Sequence, residues 1–212
     1  MRTEPPLIVG IGGTARPGST SELVVRAVLA ECERLGARTQ MFGGEALDLP
    51  MYAPGATDRT EKAAALIDGL RRAEGVVLCS PGYHGSVSGL IKNALDYVED
   101  MSRDARPYFE GRAVGLISVA AGWQATGTTL ATLRSIVHAL RGWPTPMAVT
   151  INSIGGVFGE SGEILDAAVA RQIGVLATQV VSFAKLQALD DLSRRAHDAE
   201  RASGYITPDW VD

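Results

Sequence analysis

Along the chain, short runs of almost unbroken apolar residues alternate with stretches in which apolar positions recur every three or four residues. The runs are Leu7–Ile11, Gly75–Ser80, Ala113–Val119 and Met147–Ile151, with a partly apolar Arg38–Phe42 as a further short strand. Continuous rather than alternating apolarity predicts strands buried on both faces of a parallel sheet. The intervening periodic stretches predict helices over Ser21–Leu35 (stopped by Gly36), from a Thr60 or Asp58 cap to about Ala73, over Leu90–Val98, over Thr128–Leu140, and from Gly162 or Glu163 to Leu189. Strict alternation of strand and helix predicts an α/β three-layer sandwich with a five-stranded parallel sheet. The connection from Gly43 to Arg59 is long, and its Leu47, Leu49, Met51 and Tyr52 predict a loop packed on the body.

No repeat or linker interrupts this order, so residues 1–212 read as a single domain. A net charge of -4 and a pI near 5.4 argue against nucleic acid or an anionic membrane as partner. Cys32 and Cys79 match no metal spacing and are too few for a disulfide scaffold. Cys79 reads as a small buried apolar residue. The opening residues lack a long apolar core, and no stretch is read as the ~20 apolar residues that cross a bilayer. A cytoplasmic protein without a membrane partner is expected. The three histidines are far apart and no carboxylate pair stands out, so no metal is expected and no side chain is singled out as catalytic.

Chemistry concentrates where strands end, because parallel sheets bind ligands outside their carboxyl edge. After the first strand comes Gly12-Gly13-Thr14-Ala15-Arg16-Pro17-Gly18-Ser19-Thr20-Ser21. Glycines allow close approach, helix-start amides favour an anion, and Thr14, Ser19, Thr20, Ser21 and Arg16 offer donors. The stretch reads as a monophosphate loop gripped by side chains, or as an ordinary capped turn with a solvent-facing arginine. It lacks the lysine of a P-loop and the G-x-G-x-x-G of a dinucleotide site. The second loop, Pro81-Gly82-Tyr83-His84-Gly85-Ser86, can turn backbone amides toward a flat ring with polar edges; His84 is either a proton donor or a surface histidine. The third, Ala120-Ala121-Gly122-Trp123, can cover such a ring, with Trp123 stacking on ligand or packing at an interface. A site rich in donors and poor in acids suits a cofactor that brings its own chemistry.

These loops together resemble the NADPH-dependent FMN reductase family, which has a flavodoxin-like fold and includes quinone, chromate and azo-dye reductases. Residues 12–21 are similar to its G-S-x-R-x-x-S-x-N loop, with Ser21 in the usual Asn position. Residues 80–96 are similar to its P-E-Y-N/H-G-S-x-x-G-x-L-K-N-A-x-D segment, with Gly82 in place of Glu. The resemblance implies that 14–21 hold the FMN phosphate, that 81–86 hold the pyrimidine side of the isoalloxazine, and that Ser118, Ala120, Gly122 and Trp123 flank the ring. It implies NADPH or NADH as donor of hydride to flavin N5, and a small-molecule acceptor such as flavin or quinone. It also implies a homodimer or homotetramer with Lys92, Asn93 and Asp96 in the interface. Residues from about 190 to 212 fall outside it and read as a C-terminal extension. Two other readings stay open: a flavin dehydrogenase oxidising a ring metabolite of the 2-amino-4-deoxyisochorismate type, and a flavodoxin-like electron carrier.

Overall fold

The computed structural model describes residues 4–202. Five parallel strands, β1 (Leu7–Ile11), β2 (Arg38–Phe42), β3 (Gly75–Tyr83), β5 (Ala113–Ala120) and β6 (Trp143–Asn152), lie in the order β2-β1-β3-β5-β6. A two-residue strand, β4 (Ser86–Val87), pairs antiparallel with the overhanging end of β3. The sheet reverses direction of growth at β1, so the crevice between the ends of β1 and β3 is its ligand-binding switch point.

Strand residues alternate between two cores. Leu7, Val9, Ile11, Val76 and Leu78 face one side, covered by α2 (Glu61–Arg72), α3 (Gly89–Asp96) and α4 (Trp123–Ala139). Ile8, Val77, Cys79 and Ile117 face the other, covered by α1 (Thr20–Arg34) and α5 (Ala167–Ala202). Ser19, Thr60 and Ser88 cap α1, α2 and α3, each accepting a backbone N–H from the first turn.

Several boundaries differ from expectation. Helix α4 starts at Trp123 rather than Thr128, because the Thr126 amide closes a turn on the Gly122 carbonyl and Gly127 is absorbed into the helix. Strand β6 starts at Trp143, although Pro144 and Pro146 lack ladder donors. It is an edge strand, where prolines are tolerated, and its pairing with β5 shifts register between Val114 and Leu116. Trp143 lies against Phe183 of α5 with ring centroids 5.9 Å apart.

Helix α5 continues past Leu189 to Ala202, about 54 Å at 1.5 Å per residue. Its stretch Ala167–Asp190 is long and apolar enough to cross a membrane by length and composition, unlike the sequence reading. The apolarity has a local cause: Val169, Ile173, Leu176, Ala177, Val180, Val181 and Ala184 are buried against the sheet. Lys185 donates to the Leu35 carbonyl at the far end of α1, so later residues run beyond that end. Residues 190–202 thus continue a helix, and 203–212 of the expected extension lie outside the described residues.

The 43–59 connection is packed, as expected. Asn93, only 7 % exposed, accepts from the Tyr52 amide (2.8 Å) and donates to the carbonyls of Leu49 and Pro50, while Tyr97 donates to Pro50 (3.0 Å). Arg59 forks onto Asp100 (2.7 and 2.8 Å) and lies over the rings of Tyr52 and Tyr97. That guanidinium holds the Asp100 carboxyl below its ordinary value. Asn93 is consequently turned inward as a strut for this loop. Lys92 and Asp96 pair with each other on the surface.

Candidate functional site at the strand exits

Packing forces the backbone of the first loop inward. A Cβ on Gly12 would lie 2.7 Å from Val25 and 2.8 Å from Cys79, so β1 and β3 leave the sheet in contact. The Thr14 hydroxyl accepts from the Arg16 amide (3.1 Å) and reaches back to the Arg16 carbonyl (3.2 Å), closing the loop on itself. Arg16 is exposed, and its guanidinium has no partner among the described residues. Ser19 and Ser21 are 4 % and 2 % exposed; Thr20 is half-buried. The Ser19 oxygen accepts from the Glu22 amide (3.4 Å), which leaves its own proton for another acceptor. The amides of Thr20 and Ser21, at the first turn of α1, have no helical partner to give to.

The second loop is a hairpin. Tyr83 pairs with Ser86 across His84 (φ 51°) and Gly85 (φ 84°). Two consecutive left-handed residues are what a tight two-residue turn requires. Tyr83, His84 and Gly85 are all exposed, and Pro81 is buried in β3. Beneath the hairpin, the buried Ser80 hydroxyl donates to the Pro81 carbonyl (2.9 Å) and accepts from the Ser88 amide (3.0 Å). Sequence reasoning gave Ser80 no role, and only its place at a strand end hinted at one.

The hairpin rests on α4, where Thr129 donates to the Ser86 carbonyl (3.3 Å). This contact explains Gly82: a Cβ there would sit 2.6 Å from the Thr129 oxygen and 3.1 Å from Ala120. Gly82→Ala should therefore cost roughly 1–3 kcal/mol through overpacking. Thermal melts should show a drop of several degrees, recovered in part by adding Thr129→Ala.

In the third segment, Ala120 is buried, whereas Gly122 and Trp123 (65 % exposed) stand at the start of α4. Ser118 lies on β5 just before this segment. It is fully buried and donates to the Thr126 carbonyl (2.7 Å), so its hydroxyl fastens α4 to β5.

Glu22 escaped the sequence reading, although Ser19-x-x-Glu22 is the spacing of a capping box. Its carboxylate accepts from the Gly18 amide (3.1 Å) and from Arg26 twice (2.7 and 3.0 Å). With Arg26 offsetting it, the loop presents a donor set of guanidinium, hydroxyl and helix-start amides, which fits a phosphate. Burial pushes both thiols up, Cys32 to about 12 and Cys79 further, so neither supplies a thiolate nucleophile at neutral pH. No group of His, Cys, Asp and Glu able to hold a metal occurs among the described residues. Four large apolar side chains stand exposed at or beyond strand exits on this edge: Met51, Tyr83, Trp123 and Ile154.

Comparison with known proteins gives a family and a fold. Residues 6–155 match the family model described as NADPH-dependent FMN reductase. The chain is 27 % identical over 157 residues to an NADPH azoreductase of Bacillus sp. (strain OY1-2), covering 74 % of this chain and 82 % of that protein. It is 30 % identical over 144 residues to an FMN-dependent NADPH-azoreductase of Staphylococcus aureus, covering 67 % and 69 %. In fold it is similar to FerB, a flavoenzyme NAD(P)H:(acceptor) oxidoreductase from Paracoccus denitrificans, with a TM-score of 0.70, 19 % identity, and coverage of 86 % of this chain and 98 % of that one.

Proposed function

The chain belongs to the NADPH-dependent FMN reductase family, and from that premise we propose how its strand exits divide the work of an FMN-dependent NAD(P)H oxidoreductase. Arg16, Ser19 and the first amides of α1 hold the cofactor phosphate. The hairpin 81–86 lies along the polar edge of the ring, and Gly122 and Trp123 border it. FMN, when bound, supplies the redox chemistry, taking hydride from NAD(P)H and passing electrons to the acceptor. The protein binds, orients and excludes water. Amides of the hairpin favour negative charge on the ring's polar edge. The observation that carries this assignment is an Arg16 with no partner among the described residues, set with the helix-start amides of α1 beside a hairpin held open to the same edge.

The exposed Met51, Tyr83, Trp123 and Ile154 support a small, flat, largely apolar acceptor such as a quinone, an azo compound or free flavin. The free, buried thiols of Cys32 and Cys79 support a reducing, cytoplasmic setting, and a net charge of -4 supports neither nucleic acid nor an anionic membrane as partner. The exposed Trp143, Leu186 and Leu189 support a homodimer or homotetramer, which sizing in solution separates.

The test is anaerobic mixing of FMN-loaded protein with NADPH and, separately, NADH. Rapid loss of flavin absorbance with at least one of them is expected. No loss with either overturns the reductase reading and returns the metabolite-dehydrogenase one.

A further inference from the structure

The unassigned feature nearest the phosphate loop is Glu22. A capping box would send an N3 glutamate back to the N-cap amide, here Ser19. Glu22 instead reaches one residue further, to the amide of Gly18. Its side chain is 12 % exposed and sits between two glycine turns: a Cβ on Gly13 or on Gly43 would lie 3.7 Å from it, and one on Gly44 3.8 Å. Both carboxylate oxygens are engaged, one by Gly18 and one by Arg26. Among the described residues, the other hydrogen bonds of the 14–18 stretch are those between the hydroxyl of Thr14 and Arg16. The loop is thus pinned at two points, and the second pin is an acid.

We propose that Glu22 is a positioning residue that preorganises the 14–19 loop for a phosphomonoester by holding the Gly18 amide, with Arg26 cancelling the charge that would otherwise repel the phosphate. The inference rests on the assignment of this loop to the FMN phosphate. A bare carboxylate beside an anion loop opposes its ligand. A doubly hydrogen-bonded arginine pair removes most of that opposition and leaves the acceptor function. A preformed loop spends less binding energy on ordering, so the benefit falls on ligands that carry the phosphate.

The test compares FMN with riboflavin, which lacks the phosphate, by flavin-fluorescence titration. Glu22→Ala removes the acceptor. Glu22→Asp keeps the charge but shortens the reach. Glu22→Gln keeps an acceptor without the charge. Expected are FMN affinities at least about tenfold weaker for Glu22→Ala and Glu22→Asp, riboflavin affinities within about threefold of the parent, and FMN binding by Glu22→Gln equal to or tighter than the parent. In flavin-free protein, hydrogen exchange at Gly18 should quicken in Glu22→Ala and Glu22→Asp. If Glu22→Ala does not fold, the aspartate and glutamine variants carry the test. An unchanged FMN-to-riboflavin ratio in Glu22→Asp, tighter FMN binding by Glu22→Ala, or Glu22→Gln as weak as Glu22→Asp overturns the inference. A parent protein that does not prefer FMN over riboflavin would instead overturn the assignment of the loop itself.

Discussion

Arg16→Ala should weaken FMN binding about 10- to 100-fold and leave riboflavin binding within about threefold. The range follows from the roughly 1.5–3 kcal/mol of a hydrogen bond to a charged group, with 1.4 kcal/mol per decade of affinity. Arg16 suits the part because its guanidinium has no partner among the described residues, so no ion pair must break before it takes a ligand. For the same reason the substitution should leave stability within about 0.5 kcal/mol, as at other exposed positions away from special contacts. Arg16→Lys should fall between, since it keeps a charge and loses the planar fork. The difference between parent and variant should shrink as salt is raised, because the site is open to solvent. Equal losses for FMN and riboflavin would mean that Arg16 meets the ring or shapes the loop, and no loss at all would remove it from the site.

Much of this architecture can be read from residue order because burial on both faces leaves a local signature. Leu7–Ile11, Gly75–Ser80 and Ala113–Val119 are apolar at almost every position, and every one of their residues is buried. The caps Ser19, Thr60 and Ser88 are equally local, each being a hydroxyl three residues before the amide it binds. What escaped depends on distant neighbours. Pro144 and Pro146 argue against a strand until β6 is known to lie at the sheet edge. Gly127 looks like a helix breaker until α4 is seen packed on β3, β4 and β5. The glycine-rich loops were legible as a site because glycine at a strand exit has few other uses. The orientation of single hydroxyls was not. Thr14 turns onto Arg16, two residues on, where a local hydroxyl turn competes with any ligand, and Ser118 turns onto Thr126 across the strand-to-helix connection. Glu22 is the instructive omission, since its spacing from Ser19 was visible and only its overshoot to Gly18 required the structure.

Arg112→Met should destabilise the fold by roughly 3–5 kcal/mol while leaving FMN affinity within about threefold. Arg112 is 1 % exposed and immediately precedes β5, at the opposite edge of the sheet from the strand exits. Glu74 and Asp104 lie close enough to favour its charge. Its guanidinium donates to the carbonyls of Ala73 (2.9 Å), Tyr108 (2.8 Å) and Arg71 (3.1 Å), two of which belong to the C-terminal end of α2. A cation there meets the negative end of the helix dipole and satisfies carbonyls that the helix itself cannot. Burial first, and then the nearby Arg106, pushes the group down to about 9, which still leaves it charged at neutral pH. Methionine fills much of the volume but takes the guanidinium donors from the carbonyls of Arg71 and Tyr108 and leaves Ala73 with Arg106 alone (3.3 Å), which is the costly half of removing a buried polar partner. Lysine brings three donors on a single nitrogen and cannot span carbonyls from two separate segments, so Arg112→Lys should lose most of the same stability. Against the 5–15 kcal/mol typical of a whole domain, such a loss moves a urea midpoint far enough to read without ambiguity. A small shift would mean that α2 and the segment before β5 hold together without the guanidinium. A large fall in FMN affinity would mean that this edge is coupled to the strand exits some 26 Å away along an eight-residue strand.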